Sequence, residues 1–374
     1  MKKNCIYILL FLITIMLTGC NKNKIIAKTF TLEETFGGLL INVVILGNEE
    51  QFKEFPNLNK DLSAITNELD NLYSTTKESS LVKEINDKSG VEAVEVNDEL
   101  IFVLKEAIAA SEISEVDGVA LYDITIAPLV DLWDINNKGF HKTWDYAEIP
   151  DDDDIKALLP LVDYKKIIIN EEEKTVFLTD KGMKIDLGSI LKGYAADKLK
   201  SYILNLGFKS GIINVAGNII TFGYNTTVSK DTKWNIGIQN PFASFSDPTT
   251  IGSIEKTDIT AVSSGTYERY ILTKEGLEYH HILDPRTGYS NFNDLVHVTI
   301  LTDESIRGDS LSTTIFSLGL NDGYKLVEEM KNVEAIFITQ DKEIYVTSGI
   351  INEFVYNEKV NTVGYTYKGV KKWY

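Results

Sequence analysis

Both cysteines of this 374-residue chain, Cys5 and Cys20, lie at its very start, so nothing beyond that start can be cross-linked through sulfur. Residues 5–17 form an apolar run preceded by Lys2-Lys3 and followed by the small residues Thr18-Gly19. The run is shorter than the roughly 20 residues a membrane-spanning helix needs, and a basic start, short apolar centre and small-residue end describe a signal peptide. Cleavage there discards Cys5 and keeps Cys20 as the sole cysteine. A disulfide framework, a cysteine-based metal site and a thiol nucleophile are then unavailable. The fold must rest on apolar burial, which 44% hydrophobic residues can supply, and any catalysis must use oxygen and nitrogen ligands.

Leu17-Thr18-Gly19-Cys20 resembles the lipobox of bacterial lipoproteins, which implies that Cys20 becomes the lipid-bearing first residue of the mature chain. The expected organisation is a signal peptide over 1–19, a lipidated tether over 20–28 and a single catalytic domain over 29–374, held on the extracytoplasmic face of the membrane. Formal net charge is −18, and losing Lys2 and Lys3 makes the mature chain more acidic still. Such a surface repels phosphate backbones and argues against non-specific nucleic-acid binding; an anionic ligand must be held by helix ends, a metal or individual basic residues.

Residues 29–46, rich in Leu, Ile and Val around Gly37-Gly38, predict a strand pair or a bulged strand. Apolar positions Leu58, Leu62, Ile65, Leu69 and Leu72 recur at helical spacing and predict a helix over Leu58–Tyr73. A helical turn over 79–86 and a helix over 97–116 follow. Asp151 to Asp154 open a short helix to Leu159, where they complement its dipole rather than converge on an ion. A strand pair over 165–178 turns at 170–173, and Lys184 to Leu187 read as another short strand. No repeat or Pro/Ser-rich linker divides the chain after Lys28, so a mixed helix/sheet, α+β domain fits best.

Three stretches carry chemistry. His280-His281-Ile282-Leu283-Asp284-Pro285-Arg286-Thr287-Gly288 gathers two of the four histidines beside an acid, a base and a turn, after a strand reading over 267–272. It is either a site or a hairpin with histidines on its loop. Asp186-Leu187-Gly188-Ser189-Ile190-Leu191-Lys192-Gly193 passes from a strand through a glycine turn into a helix ending near Gly207; free N–H groups and Lys192 make a chemically reasonable phosphate cradle, though ordinary packing reads the same way. Asp309 and Thr313, four apart on a helix from Gly308 to Gly319, share one face as hard oxygen ligands suited to magnesium, unless Asp309 is only an N-cap.

Together with Tyr73-Ser74-Thr75, residues 79–86, Tyr122-Asp123-Ile124-Thr125-Ile126-Ala127-Pro128-Leu129-Val130-Asp131-Leu132-Trp133, Asn214 to Ile219 and Ser264-Gly265-Thr266-Tyr267-Glu268-Arg269-Tyr270, these stretches resemble, in order, the FAD:protein FMN transferase (ApbE) family. The resemblance implies a T-fold-like flavin transferase domain. It implies that Leu121, Tyr122, Asp123, Asp186, Lys192, His281 and Leu283 contact FAD, that Asp309, Thr313 and the carbonyl of Ser189 hold magnesium, and that His281 is the base. The implied acceptors are proteins with a Ser/Thr-Gly-Ala-Ser/Thr-type motif, such as redox-pump subunits or extracytoplasmic FMN-binding proteins. Phe36-Gly37-Gly38, Ala216-Gly217-Asn218 and Thr266 depart from the family's Met-Gly-Thr, Gly-Gly-Asp and Ser-Gly-Asp-Tyr patterns. A magnesium-dependent FAD pyrophosphatase and a non-catalytic FAD-binding lipoprotein are the competing readings.

Overall fold

The computed structural model describes residues 24–35, 39–243 and 249–372. The expected signal peptide, the lipidated Cys20 and Phe36-Gly37-Gly38 lie outside the described residues. Nine strands form the principal sheet: β1 (Ile25–Thr35), β2 (Leu39–Asn48), β3 (Ser210–Val215), β4 (Asn218–Phe222), β5 (Ile259–Gly265), β6 (Leu295–Thr302), β7 (Val333–Thr339), β8 (Glu343–Val346) and β9 (Thr366–Gly369). They lie side by side in chain order, antiparallel throughout except for the last pair. The antiparallel pairs form a meander without crossovers, the parallel last pair is joined by a crossover through residues 347–365, and the other elements are inserted between neighbours.

β1 begins at Ile25, so residues 25–28, expected as part of the tether, are paired in the sheet with residues 45–48. β3 and β4 are joined in a tight hairpin by the two-residue turn Ala216-Gly217, both at positive φ (47° and 92°). Every residue of β6 is buried. Val298 and Ile300 face the long helix α4 (Ser305–Glu329), against Leu311, Ile315 and Phe316. Leu301 and the neighbouring Ile336 face a second, three-stranded sheet (Trp234–Gln239, Thr250–Lys256, Phe354–Tyr356), packing on Ile236 and Ile254. Both faces are therefore covered, and the polar His297 and Thr299 that alternate with Val296, Val298 and Ile300 are buried as well.

The large insertion between β2 and β3 carries helices α1 (Leu58–Tyr73), α2 (Asp98–Ile113) and α3 (Leu191–Asn205). The periodic helix prediction coincides with α1, and Asn97 caps α2 by accepting the Leu100 N–H at 2.8 Å. Lys184 to Leu187, predicted as a strand, make only an isolated bridge from Lys184 to Ile126. The strand read at 267–272 is shorter, Tyr270–Leu272, paired with Glu278–His280. α4 starts three residues before Gly308 and runs past Gly319, whose φ of 76° and ψ of −179° break its regularity. Among the described residues no helix is long and apolar enough to cross a membrane.

α3 and α4 meet at their N-termini, and each caps the other. Asp197 of α3 accepts the N–H groups of Ser305 and Ile306 at 3.1 and 2.8 Å, while Asp309 of α4 accepts the N–H of Gly193 at 2.9 Å. The approach is so close that a Cβ at residue 193 would lie 2.1 Å from the Ser305 carbonyl oxygen, which only glycine avoids.

Candidate active site

A cavity of about 240 Å³ opens where these helix starts, the end of β5 and the turn after His280 come together. Leu121, Tyr122 and Asp123 line it from one loop, Asp186, Ser189 and Lys192 from the entry to α3, His281 and Leu283 from the hairpin, and Asp309 and Thr313 from α4. Residues separated by almost two hundred positions thus face one space. Its remaining wall is apolar on the side of Ile126, Val130 and Trp133, and hydroxyl-rich on the side of Ser263, Ser264 and Ser317.

Asp123 organises its loop from within. Its Oδ1 accepts the Thr125 N–H and hydroxyl at 2.8 and 2.6 Å, and its Oδ2 accepts the Tyr164 N–H at 2.8 Å. Burial nevertheless pushes its carboxyl up to about 6, the hydrogen bonds working in the opposite direction. The Asp186 N–H donates to Ile124 O at 2.8 Å and joins this loop to the next one. Asp186 Oδ1 accepts the Gly188 N–H at 2.6 Å, and Ser189 Oγ donates to the Tyr122 hydroxyl at 3.0 Å. The motif at 79–86 acts from behind: buried Asn86 clamps Ile185 through two hydrogen bonds of 2.7 and 3.0 Å.

Asp309 is not the N-cap of its own helix, since α4 begins at Ser305; its carboxylate belongs functionally to the start of α3. Lys192 Nζ stands 3.6 Å from Asp309 Oδ1. Burial raises the Asp309 carboxyl above its ordinary value, opposed by Lys192 and the Gly193 N–H. Thr313 lies one turn further along α4, its hydroxyl 3.4 Å from Ser264 Oγ. Among the described residues no group of three or more His, Cys, Asp or Glu side chains could hold a metal ion. A cation here would have one carboxylate, neutral oxygens and the oxygens of its ligand. That donor set fits magnesium, which keeps several waters and phosphate oxygens, and does not fit zinc.

The two histidines separate cleanly. His280 is buried edge-on between Phe292 and Phe316, its ring nitrogens make no hydrogen bond of ordinary geometry, and burial lowers its pKa to about 4. His281 faces the cavity. Its main-chain N–H and its Nδ1 lie 3.1 and 3.2 Å from the carbonyl oxygen of Arg269. A carbonyl only accepts, so Nδ1 carries the proton and Nε2 keeps its lone pair. The ordinary imidazole pKa is about 6.5. In the fold His281 lies well below that value, through burial first and then the charges of Arg269, His280 and Lys192. Asp284 and Arg286, the acid and base of the same stretch, instead pair with each other at 2.7 Å and brace the turn.

Arg269, Asn136, Trp133, Ser263 and Ser264 also line the cavity but were assigned no role from sequence. Arg269 and Trp133 sit inside stretches that carried the family resemblance, which was the available signal. Ser263 had none, because only strand pairing brings it there.

Strands in meander order carrying this cavity define a flavin-transferase fold. It is shared with the flavin transferase ApbE from Vibrio cholerae, at a TM-score of 0.74 and 23% identity over 88% of this chain and 100% of that one. It is also shared with the ApbE protein from Thermotoga maritima, at a TM-score of 0.73 and 27% identity over 86% and 98%. The ApbE family model matches residues 38–337. The chain belongs to the ApbE family. Among its relatives, a FAD:protein FMN transferase of Klebsiella pneumoniae is 35% identical over 75% of this chain and 81% of that protein, and one of Treponema pallidum is 28% identical over 94% and 96%.

Proposed function

We propose that this chain is a FAD:protein FMN transferase that moves FMN from FAD onto a Thr or Ser hydroxyl of an acceptor protein, releases AMP and requires magnesium. The observation that carries this reading is His281, which lines the same cavity as Lys192 and Asp309 with its Nδ1 bound to the Arg269 carbonyl, so that Nε2 is the nitrogen left to take a proton. A base must be unprotonated when the acceptor hydroxyl arrives, and burial keeps His281 so. An anionic diphosphate entering the cavity raises the imidazole pKa again and makes it a better proton acceptor. Lys192 and the N-terminus of α3 favour the diphosphate by charge and dipole. The apolar wall at Ile126, Val130 and Trp133 suits a flat aromatic ring.

Asp309, Thr313 and the carbonyl of Ser189 are the residues that would hold magnesium. The ion supplies charge neutralisation for the diphosphate and the leaving AMP. Acceptors are proteins bearing the Ser/Thr-Gly-Ala-Ser/Thr-type motif. A lipid on Cys20 would keep the enzyme beside them on the extracytoplasmic face of the membrane, where tethering raises effective concentration.

AMP release, followed with magnesium and FAD in the presence and absence of an acceptor peptide, tests the reading. Acceptor-dependent AMP accompanied by a flavin-sized mass gain on the peptide is the expected result. Acceptor-independent AMP would make the protein a pyrophosphatase, and no AMP under either condition would make it a binding protein.

A further inference from the structure

Arg269 is the cation of this cavity that the family pattern left without a role. It lines the wall beside His281, and its Nη1 donates to Asn136 Oδ1 at 2.8 Å. Asn136 is neutral, and among the described residues no carboxylate forms an ion pair with Arg269; Glu268 also lines the cavity but is not joined to it. The neighbouring cations are all matched: Lys192 faces Asp309, Arg286 pairs with Asp284 and Lys184 with Asp131. Asp186, in the same cavity, is near enough for the Arg269 charge to favour its ionised form, though the two make no ion pair, and the remaining guanidinium donors are open to an anionic ligand. Its place in the chain is equally specific, because the Arg269 carbonyl oxygen accepts from both the main-chain N–H and Nδ1 of His281. One residue thus sets the tautomer of the base with its backbone and brings a fork of donors to the same side of the cavity.

We propose that Arg269 grips the non-bridging oxygens of the phosphoryl group that stays with the flavin, so that it is a substrate-contacting residue of the reaction. The assignment rests on the transferase reading for which of the two phosphoryl groups is meant. In transfer, the acceptor oxygen forms a bond to the FMN phosphorus, its proton passes to His281 Nε2, the bond from that phosphorus to the bridging oxygen breaks, and the electron pair leaves on AMP. The base must be within hydrogen-bond reach of the attacking hydroxyl, hence next to the attacked phosphorus. Arg269, tied to His281, therefore serves the FMN phosphoryl group, and Lys192 of α3, tied to Asp309 of α4, serves the leaving side. A planar fork matches two phosphoryl oxygens as a lysine ammonium cannot.

The test is equilibrium binding of riboflavin, FMN, FAD and AMP to the whole protein in magnesium buffer, with Arg269→Gln, Arg269→Lys and Asn136→Ala beside wild type. Losing a charged hydrogen-bond pair should weaken FMN and FAD by roughly tenfold or more in Arg269→Gln, with riboflavin and AMP within about threefold of wild type. Arg269→Lys should recover part of the FMN affinity. Asn136→Ala, which removes the partner and keeps the charge, should hold FMN within about threefold. Unchanged FMN affinity in Arg269→Gln, an equal loss for riboflavin, or an equal loss in Asn136→Ala would overturn the assignment, the last two by showing a ring contact or a structural tie. Wild-type AMP release judges the transferase reading separately. Wild-type turnover with normal FMN affinity in Arg269→Gln sinks only the role of Arg269. Selective FMN loss without wild-type turnover sinks only the transferase reading.

Discussion

At the scale of single residues, the site depends on what each polar atom is already bonded to. His281 can act as a base because its other nitrogen is committed to the Arg269 carbonyl. His281→Ala should lower AMP release by roughly 10²–10⁴-fold, the usual loss of a general base, with FAD binding largely kept. His280→Ala empties a space between Phe292 and Phe316 instead. It should lower thermal stability by about 2 kcal/mol or more while turnover per folded molecule stays close to wild type. Comparable catalytic losses at both positions would refute the separation. The depressed pKa of His281 also sets a sign: the base is lost only as pH falls through its lowered value, so kcat/KM should keep its plateau on descending through pH about 6.5. The acid limb of kcat, which reports the FAD complex, should lie at higher pH than that of kcat/KM. Asp309 permits a similar division. Asp309→Asn retains an acceptor for the Gly193 N–H and removes the charge, so it should abolish magnesium-dependent AMP release with Tm unchanged or raised, because a buried charge is relieved. Asp309→Ala should lose activity and about 1 kcal/mol of stability as well. Wild-type turnover in either variant would rule out the metal assignment.

At the scale of elements, the decisive feature is the reciprocal capping of α3 and α4. Each helix lends a carboxylate to the other's free N–H groups, so Lys192 and Asp309 are held in register by the same contact that joins the helices. Gly193→Ala tests this coupling. A methyl group 2.1 Å from a carbonyl oxygen cannot be absorbed by a side-chain rotation and must push the helix starts apart. The expected cost is about 1–3 kcal/mol or more in thermal unfolding, together with a fall in AMP release at sites no ligand touches. Full activity and unchanged Tm would mean that the two helices tolerate separation. The segment before α3 works differently: Ile185 to Leu187 has little sheet pairing and is positioned by Asn86 and Ile124. Its alternating Ile185 and Leu187 imitate a strand because both side chains are buried, which is why the periodicity there misleads.

At the scale of the whole molecule, the proposed lipid on Cys20 lies close before β1, since pairing starts at Ile25. Cys20→Ser should release the protein from membranes without loss of turnover on a soluble acceptor peptide, and intact mass of membrane-extracted wild type should show a lipidated Cys20. An unmodified mature N-terminus elsewhere would end that proposal. Local patterns in the sequence were enough for whatever depends on neighbours: the 3.6-residue periodicity of α1, the helix at α2, and residue types that could serve as base, cation and oxygen ligands. The family pattern named Leu121 through Thr313 as one site, and the fold brings those side chains to one cavity. In β6 the alternation Val296-His297-Val298-Thr299-Ile300 suggests one polar, solvent-facing side, yet every residue of the strand is buried. Tertiary structure alone decided that Asp309 caps a helix other than its own, how far burial lowers His281, and that Arg269 stands in the cavity without an ion pair. Each of these depends on desolvation or on partners distant in the chain, quantities that residue order does not contain and that arise only when separate segments exclude water together.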